Sequence, residues 1–232
     1  MNRTNREHLK IVAQSLGELS DKVVYVGGAV VDLYATTTAA PDARPTMDVD
    51  CIIEGFTRTN YYQLEDSLRK KGFVNDQTES APLFRWIVRG VRVDVMPVES
   101  EILGFTNEWY KVGFQHIFSV PLGDDITVNL LEAPYFLATK IAAMKNRGAL
   151  DLRTSVDFED IVFVLRNRET LVSNIREAET SVNGYLATSV DELLSHTIID
   201  EAISSVLDFG EPIGTHARVI SIMKLISAMK SQ

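Results

Sequence analysis

The chain has 232 residues, enough for one large domain or two small ones with a buried core. Apolar residues make up 45% and charged residues 24%, as in ordinary globular proteins, which argues against a disordered or fibrous chain. The net charge of −9 disfavours broad, non-specific binding to nucleic acid, where basic groups meet phosphates, but leaves room for a local basic groove.

Leu9, Val12, Leu16 and Leu19 recur at steps of three and four, which predicts a helix over 6–19, with Gly17 a weak point near its end. Val23-Val24-Tyr25-Val26 predicts a short strand, followed at once by Gly27-Gly28 and a short helix over 29–34. Residues 36–46, TTTAAPDARPT, are small, polar and broken by proline, so they predict a loop. The loop delivers a strand over 47–53. Val49, Cys51 and Ile53 share one face of it, and Asp48, Asp50 and Ile52 the other. A helix carrying Tyr61, Leu64 and Leu68 is expected from a cap at Thr59 or Asn60 to a stop at Gly72. Residues 83–88 and 91–96 predict a hairpin turning at Arg89-Gly90, with Asp94 in its second strand. Two more strands are expected over 114–120 and 126–131.

From Pro134 the period changes. Pro134 suits a first helical turn, and Tyr135, Leu137, Ala138, Ile141, Ala142 and Met144 continue the helix to Gly148. Further helices are predicted over 155–166, 169–179, 183–207 and 215–230. The change of period divides the chain into an α/β domain over 1–132 and a helical domain over 133–232. The expected fold class is α+β. No apolar run reaches the roughly 18 residues that span a bilayer. The opening MNRTNREHLK lacks the apolar stretch of a signal peptide, and the single cysteine, Cys51, has no internal partner. A cytoplasmic protein without a membrane partner is expected.

The chemistry concentrates in three carboxylates. Asp48 and Asp50 stand two apart on one strand, so their side chains share a face and repel each other. A divalent cation removes that repulsion, and magnesium prefers hard oxygen ligands. Asp94 interrupts the apolar run of Val91, Val93, Val95 and Met96, and a buried strand aspartate needs a partner or a metal. Plainer readings stand beside these: a solvated strand face for Asp48 and Asp50, an ion pair with Arg85 or Arg92 for Asp94. Gly27-Gly28, after a strand and before a helix, suits a phosphate at free backbone N–H groups, or an ordinary tight turn. It is neither a P-loop nor a dinucleotide fingerprint.

The order strand, Gly27-Gly28, helix, loop, then Arg44-Pro45-Thr46-Met47-Asp48-Val49-Asp50 resembles the DNA polymerase β-type nucleotidyltransferase superfamily. Within it, the closest likeness is to the AbiEii-type nucleotidyltransferases of bacterial toxin–antitoxin and phage-defence systems. The likeness covers roughly residues 22–166. It implies a nucleotidyltransferase-type mixed sheet flanked by helices and followed by a helical half. It assigns Gly27 and Gly28 to the phosphate turn, Thr46 to a hydroxyl that touches a phosphate, and Asp48, Asp50 and Asp94 to two magnesium ions. Lys140 resembles the lysine that contacts the triphosphate, and Asp160 the aspartate that orients it. Asp94 is also the candidate general base.

The activity so implied moves a nucleoside monophosphate from a nucleoside triphosphate such as ATP to an acceptor hydroxyl, releasing pyrophosphate. An RNA 3′ end, such as that of tRNA, is the favoured acceptor; a protein side chain or a small molecule is the alternative. A non-catalytic nucleotide-binding protein on the same fold is a further one. A neutralising antitoxin is an expected partner from the likeness alone. The long loop between Gly28 and Asp48 departs from the family pattern, and residues 170–232 match nothing in it. Apart from the likeness, Lys140 reads as a solvated lysine, Asp157 and Glu159 as helix-dipole partners, and Arg147 and Arg153 as partners of Asp151 or Asp157 rather than of a phosphate. Arg69-Lys70-Lys71 with Arg85, Arg89 and Arg92 read as a basic track or as solvated faces.

Overall fold

The computed structural model describes residues 3–37, 40–56, 61–99, 107–148, 151–207 and 210–231. The fold is α+β: a seven-stranded mixed sheet flanked by helices, with a helical C-terminal part. The chain divides into two compact units, Met1–Leu33 with Asp42–Glu132, and Tyr34–Pro41 with Ala133–Gln232. The sequence placed Tyr34–Pro41 in the first domain. These residues belong to the second unit because Tyr34 stacks on Phe136 at 4.3 Å and the Thr36 amide donates to the Asn167 carbonyl at 2.9 Å.

In the first unit, helix α1 (Arg3–Leu16) buries Leu9, Val12 and Leu16, the stripe its spacing predicts. It stops at Leu16, short of the expected end. Gly17 takes φ +54 and a 3₁₀ segment, Gly17–Lys22, follows. Strand β1 (Val23–Val26) is buried throughout. The expected helix after it is a 3₁₀ helix, Gly28–Tyr34. Then come β2 (Asp48–Ile53), α2 (Tyr61–Lys70), β3 (Val74–Asn75), β4 (Arg85–Val88) and β5 (Val91–Pro97). The expected caps Thr59 and Asn60 lie outside the described residues.

Arg89 and Gly90 both take positive φ, 47° and 80°, which makes the β4–β5 connection a type I′ turn suited to strand twist. Helix α3 (Glu108–Gly113) was not foreseen; Asn107 caps it by accepting from the Trp109 amide. Phe114 and His116 therefore sit at its end, and the strand expected from 114 begins later, as β6 (Ile117–Gly123). Strand β7 (Ile126–Leu131) returns through Asp124-Asp125, at φ 54° and 57°. The sheet order is β3-β4-β5-β2-β1-β7-β6. β2 lies antiparallel to β1 and parallel to β5, and β1 lies parallel to β7.

The second unit holds α4 (Ala133–Asn146), α5 (Val156–Asn167), α6 (Leu171–Glu177), α7 (Thr180–Leu194), α8 (Ile199–Val206) and α9 (Thr215–Ser227). The sequence predicted one helix over 183–207. It is two, because the chain turns through Ser195–Ile198 while Leu193 and Ile199 keep the apolar rhythm on either side. Among the described residues no helix is long and apolar enough to cross a membrane.

Candidate functional site

Strand β2 organises the site. Val49 and Cys51 are fully buried, so the pleat turns Asp48 and Asp50 to the other face, where each is half-buried. The parallel register sets Asp50 opposite Asp94 and Asp48 opposite Arg92. In the β4–β5 hairpin Arg85 stands opposite Asp94. Residues opposed across a sheet share a face, so the three aspartates, Arg85 and Arg92 form one polar field.

Arg85 ties that field together. Its Nε donates to Asp94 Oδ1 at 2.7 Å and its Nη2 to Asp94 Oδ2 at 2.8 Å, a bidentate fork. The same Nη2 donates to Asp48 Oδ2 at 3.2 Å. Asp94 is only 5% exposed. The hydrogen bond to Asp94 holds the guanidinium above its already high range, against the opposing effect of burial, so Arg85 stays charged. The ion-pair alternative for Asp94 thus holds for Arg85, and the same guanidinium also reaches Asp48.

The glycine turn bears directly on Asp50. Gly27 takes φ +75, and a Cβ built on it would overlap the Asp50 carboxylate. A Cβ on Gly28 would press on Thr46 Cγ2 at 2.7 Å and Arg44 Nη2 at 2.8 Å. These glycines are therefore required by the close approach of backbone to side chains. The Thr46 hydroxyl donates to the Asp48 carbonyl at 3.0 Å, steadying the entry to β2.

Two residues that sequence reasoning passed over hold this entry. Asn5, fully buried on α1, accepts from the Thr46 amide at 2.9 Å and donates to the Arg44 carbonyl at 3.0 Å. Asp32 accepts from the Ala43 amide. The signal for Asn5 was its position four residues before Leu9, a polar group on the apolar stripe of a helix. Behind the aspartates, burial pushes the Cys51 thiol pKa far up, and the charges of Asp50 and Asp94 add to that.

Among the described residues, no three His, Cys, Asp or Glu side chains already converge as a metal cage. The donor set still suits magnesium: carboxylate oxygens on adjacent strands, two of them drawn together by one guanidinium.

Lys140 and Asp160 belong to the second unit. Lys140 is not solvated: its Nζ meets Asp160 Oδ2 at 2.6 Å and Asp157 Oδ1 at 3.3 Å, and all three residues are buried. Asp157 also binds Arg147 at 2.6 Å. The helix-dipole reading of Asp157 is therefore replaced by an ion-pair network between α4 and α5; Ser155 is the residue that caps α5, accepting from the Phe158 amide. Arg153 pairs with Asp151 at 2.7 Å. The expected basic track is partly engaged elsewhere. Arg69 pairs with Glu65 and Asp66, and Arg85 with the aspartates. No protein-family model matches the chain, and no curated protein matches it.

Proposed function

We propose that the chain is a magnesium-dependent nucleotidyltransferase of the polymerase β type. It would transfer a nucleoside monophosphate from a nucleoside triphosphate to an acceptor hydroxyl. The observation that carries the reading is the register that sets Asp94 beside Asp50, with Asp48 one pleat away on the same face. Asp48, Asp50 and Asp94 are the residues that would hold two magnesium ions. Bound there, magnesium supplies charge stabilisation at the phosphates and at the attacking and leaving oxygens.

The chain's own groups do the rest by positioning and by proton transfer. Gly27 keeps the Asp50 carboxylate in place by leaving it room. Thr46 and Asn5 fix the start of β2. The acceptor hydroxyl gives its proton to a carboxylate oxygen of Asp94 and attacks the α-phosphorus. The bond to the bridging oxygen breaks and pyrophosphate leaves. Lys140, oriented by Asp160, is the cation that the likeness assigns to the triphosphate. An RNA 3′ end is the proposed acceptor, and that choice rests on the likeness to AbiEii-type toxins. A neutralising antitoxin is proposed on the same ground.

The test is incubation with each α-labelled nucleoside triphosphate, magnesium, and either total RNA or total protein. Label in RNA supports the proposal as stated, and label in protein moves the acceptor to a side-chain hydroxyl. Asp50→Asn keeps the shape and removes the charge. It should lower transfer at least a hundredfold, and full activity in that variant would end the assignment.

A further inference from the structure

The oxygens that the proposed function needs for cations already have a partner. Arg85 engages both oxygens of Asp94 and one of Asp48. A divalent ion at those oxygens would stand beside a fixed guanidinium charge and be repelled by it. Arg85 opens β4, immediately after the turn in which its amide donates to the Pro82 carbonyl at 3.0 Å. The Arg85 and Asp48 side chains are 22% and 32% exposed, so water reaches both and the guanidinium has a way out. The Lys140–Asp160 pair, at 9% and 1%, has no such opening. The Arg85–Asp48 contact is thus open to water, and the Lys140–Asp160 pair is not.

We propose that Arg85 is the resident counter-ion of the carboxylate site. It closes Asp48 and Asp94 in the metal-free protein, turns away when divalent cations enter, and so sets the cation concentration at which the site fills. The inference rests on the metal-site reading above. In this role Arg85 is a positioning residue: it keeps the aspartates together while no cation does, and its departure frees their oxygens for the cations. A purely structural arginine would behave otherwise, because removing it would loosen the site and weaken cation binding.

The experiment is a manganese titration of the full chain, followed by the loss of the free-ion electron paramagnetic resonance signal. It compares the native protein with Arg85→Met, Arg85→Lys and Asp50→Asn. Arg85→Met should bind manganese at least tenfold more tightly than native, with a lower melting temperature that manganese restores. Arg85→Lys, which keeps charge but loses the fork, should fall between. In the native protein, the Arg85 Nε–H resonance should shift on adding magnesium, a readout that stands even if Arg85→Met fails to fold. Equal or weaker manganese binding by Arg85→Met and Arg85→Lys, with binding lost in Asp50→Asn, overturns the role of Arg85 and leaves the metal site intact. An Arg85 resonance that stays fixed while manganese binds does the same. No manganese binding by native or either arginine variant overturns the metal-site reading itself.

Discussion

Gly27 shows how much a single missing Cβ can decide. Its φ of +75 lies in the left-handed region, where an L side chain costs roughly 1–2 kcal/mol. An added methyl group would also strike the Asp50 carboxylate, and overpacking of that kind adds about 1–3 kcal/mol. Gly55 separates the two effects. It takes φ +89, and a Cβ there would meet no described atom within 4 Å. Gly55→Ala should therefore lower stability by the backbone term alone, ~1–2 kcal/mol in urea denaturation. Gly27→Ala should lose about 2–5 kcal/mol and most of its transfer activity, since Asp50 must move. Part of the difference should disappear when Gly27→Ala is made together with Asp50→Ala, as a double-mutant cycle would register. Equal losses at Gly27 and Gly55 would mean that the turn does not touch Asp50. The glycine pair and the two aspartates were legible in the sequence because both signals are local, a strand followed by two glycines and an alternation of period two. The Arg85–Asp94 pair was open as an alternative within one hairpin, but the reach of Arg85 to Asp48 was not legible, because it needs the registers of β4 on β5 and of β5 on β2, which bring residues 48, 85 and 94 together.

Helices α4 and α5 carry a different lesson. Their apolar periodicity was plain, yet the sequence left Lys140 readable as a solvated lysine. α4 is buried around most of its circumference, Lys140 included, and such a helix gives little amphipathic contrast to say where a charge points. The partner lies one helix away, at Asp160, and only the packing of α4 on α5 reveals it. A buried pair of this sort is costly to break and cheap to remove whole. Loss of one member leaves an uncompensated charge and typically costs about 3–5 kcal/mol. Asp160→Leu or Lys140→Met alone should therefore lower the urea midpoint strongly. Lys140→Met with Asp160→Leu should be more stable than either single variant, with Arg147 still pairing Asp157. Additive losses in the double variant would show that the two side chains do not interact. The same logic explains the miss at 183–207. The apolar residues keep their spacing across Ser195–Ile198, so periodicity alone cannot register a break in hydrogen bonding.

At the scale of the molecule, buried acids among the described residues set an alkaline limit on stability, Cys51, Tyr25 and Tyr34 chief among them. Burial raises the pKa of the Cys51 thiol and the Tyr25 hydroxyl in the first unit and of the Tyr34 hydroxyl in the second. The ordinary values are 9.0 for the thiol and 10.0 for the hydroxyls, so each group is neutral when folded over a range where the unfolded chain ionises. A raised pKa of this kind stabilises the fold fully below the ordinary value and progressively less as pH rises toward the folded one. Each group should then remove about 1.4 kcal/mol per pH unit once the unfolded chain ionises. Cys51 acts first, from about pH 9, and the tyrosines join from about pH 10. Urea midpoints should show no loss from these groups between pH 7 and 8 and fall with increasing slope above 9. Cys51→Ala should delay the onset by about one pH unit, because only the tyrosines then remain. The thiol itself should resist Ellman's reagent at pH 8 in the native protein and react at once in concentrated urea. Ready labelling of the native thiol would place Cys51 outside the core, and with it the face of β2 that turns Asp48 and Asp50 toward the site.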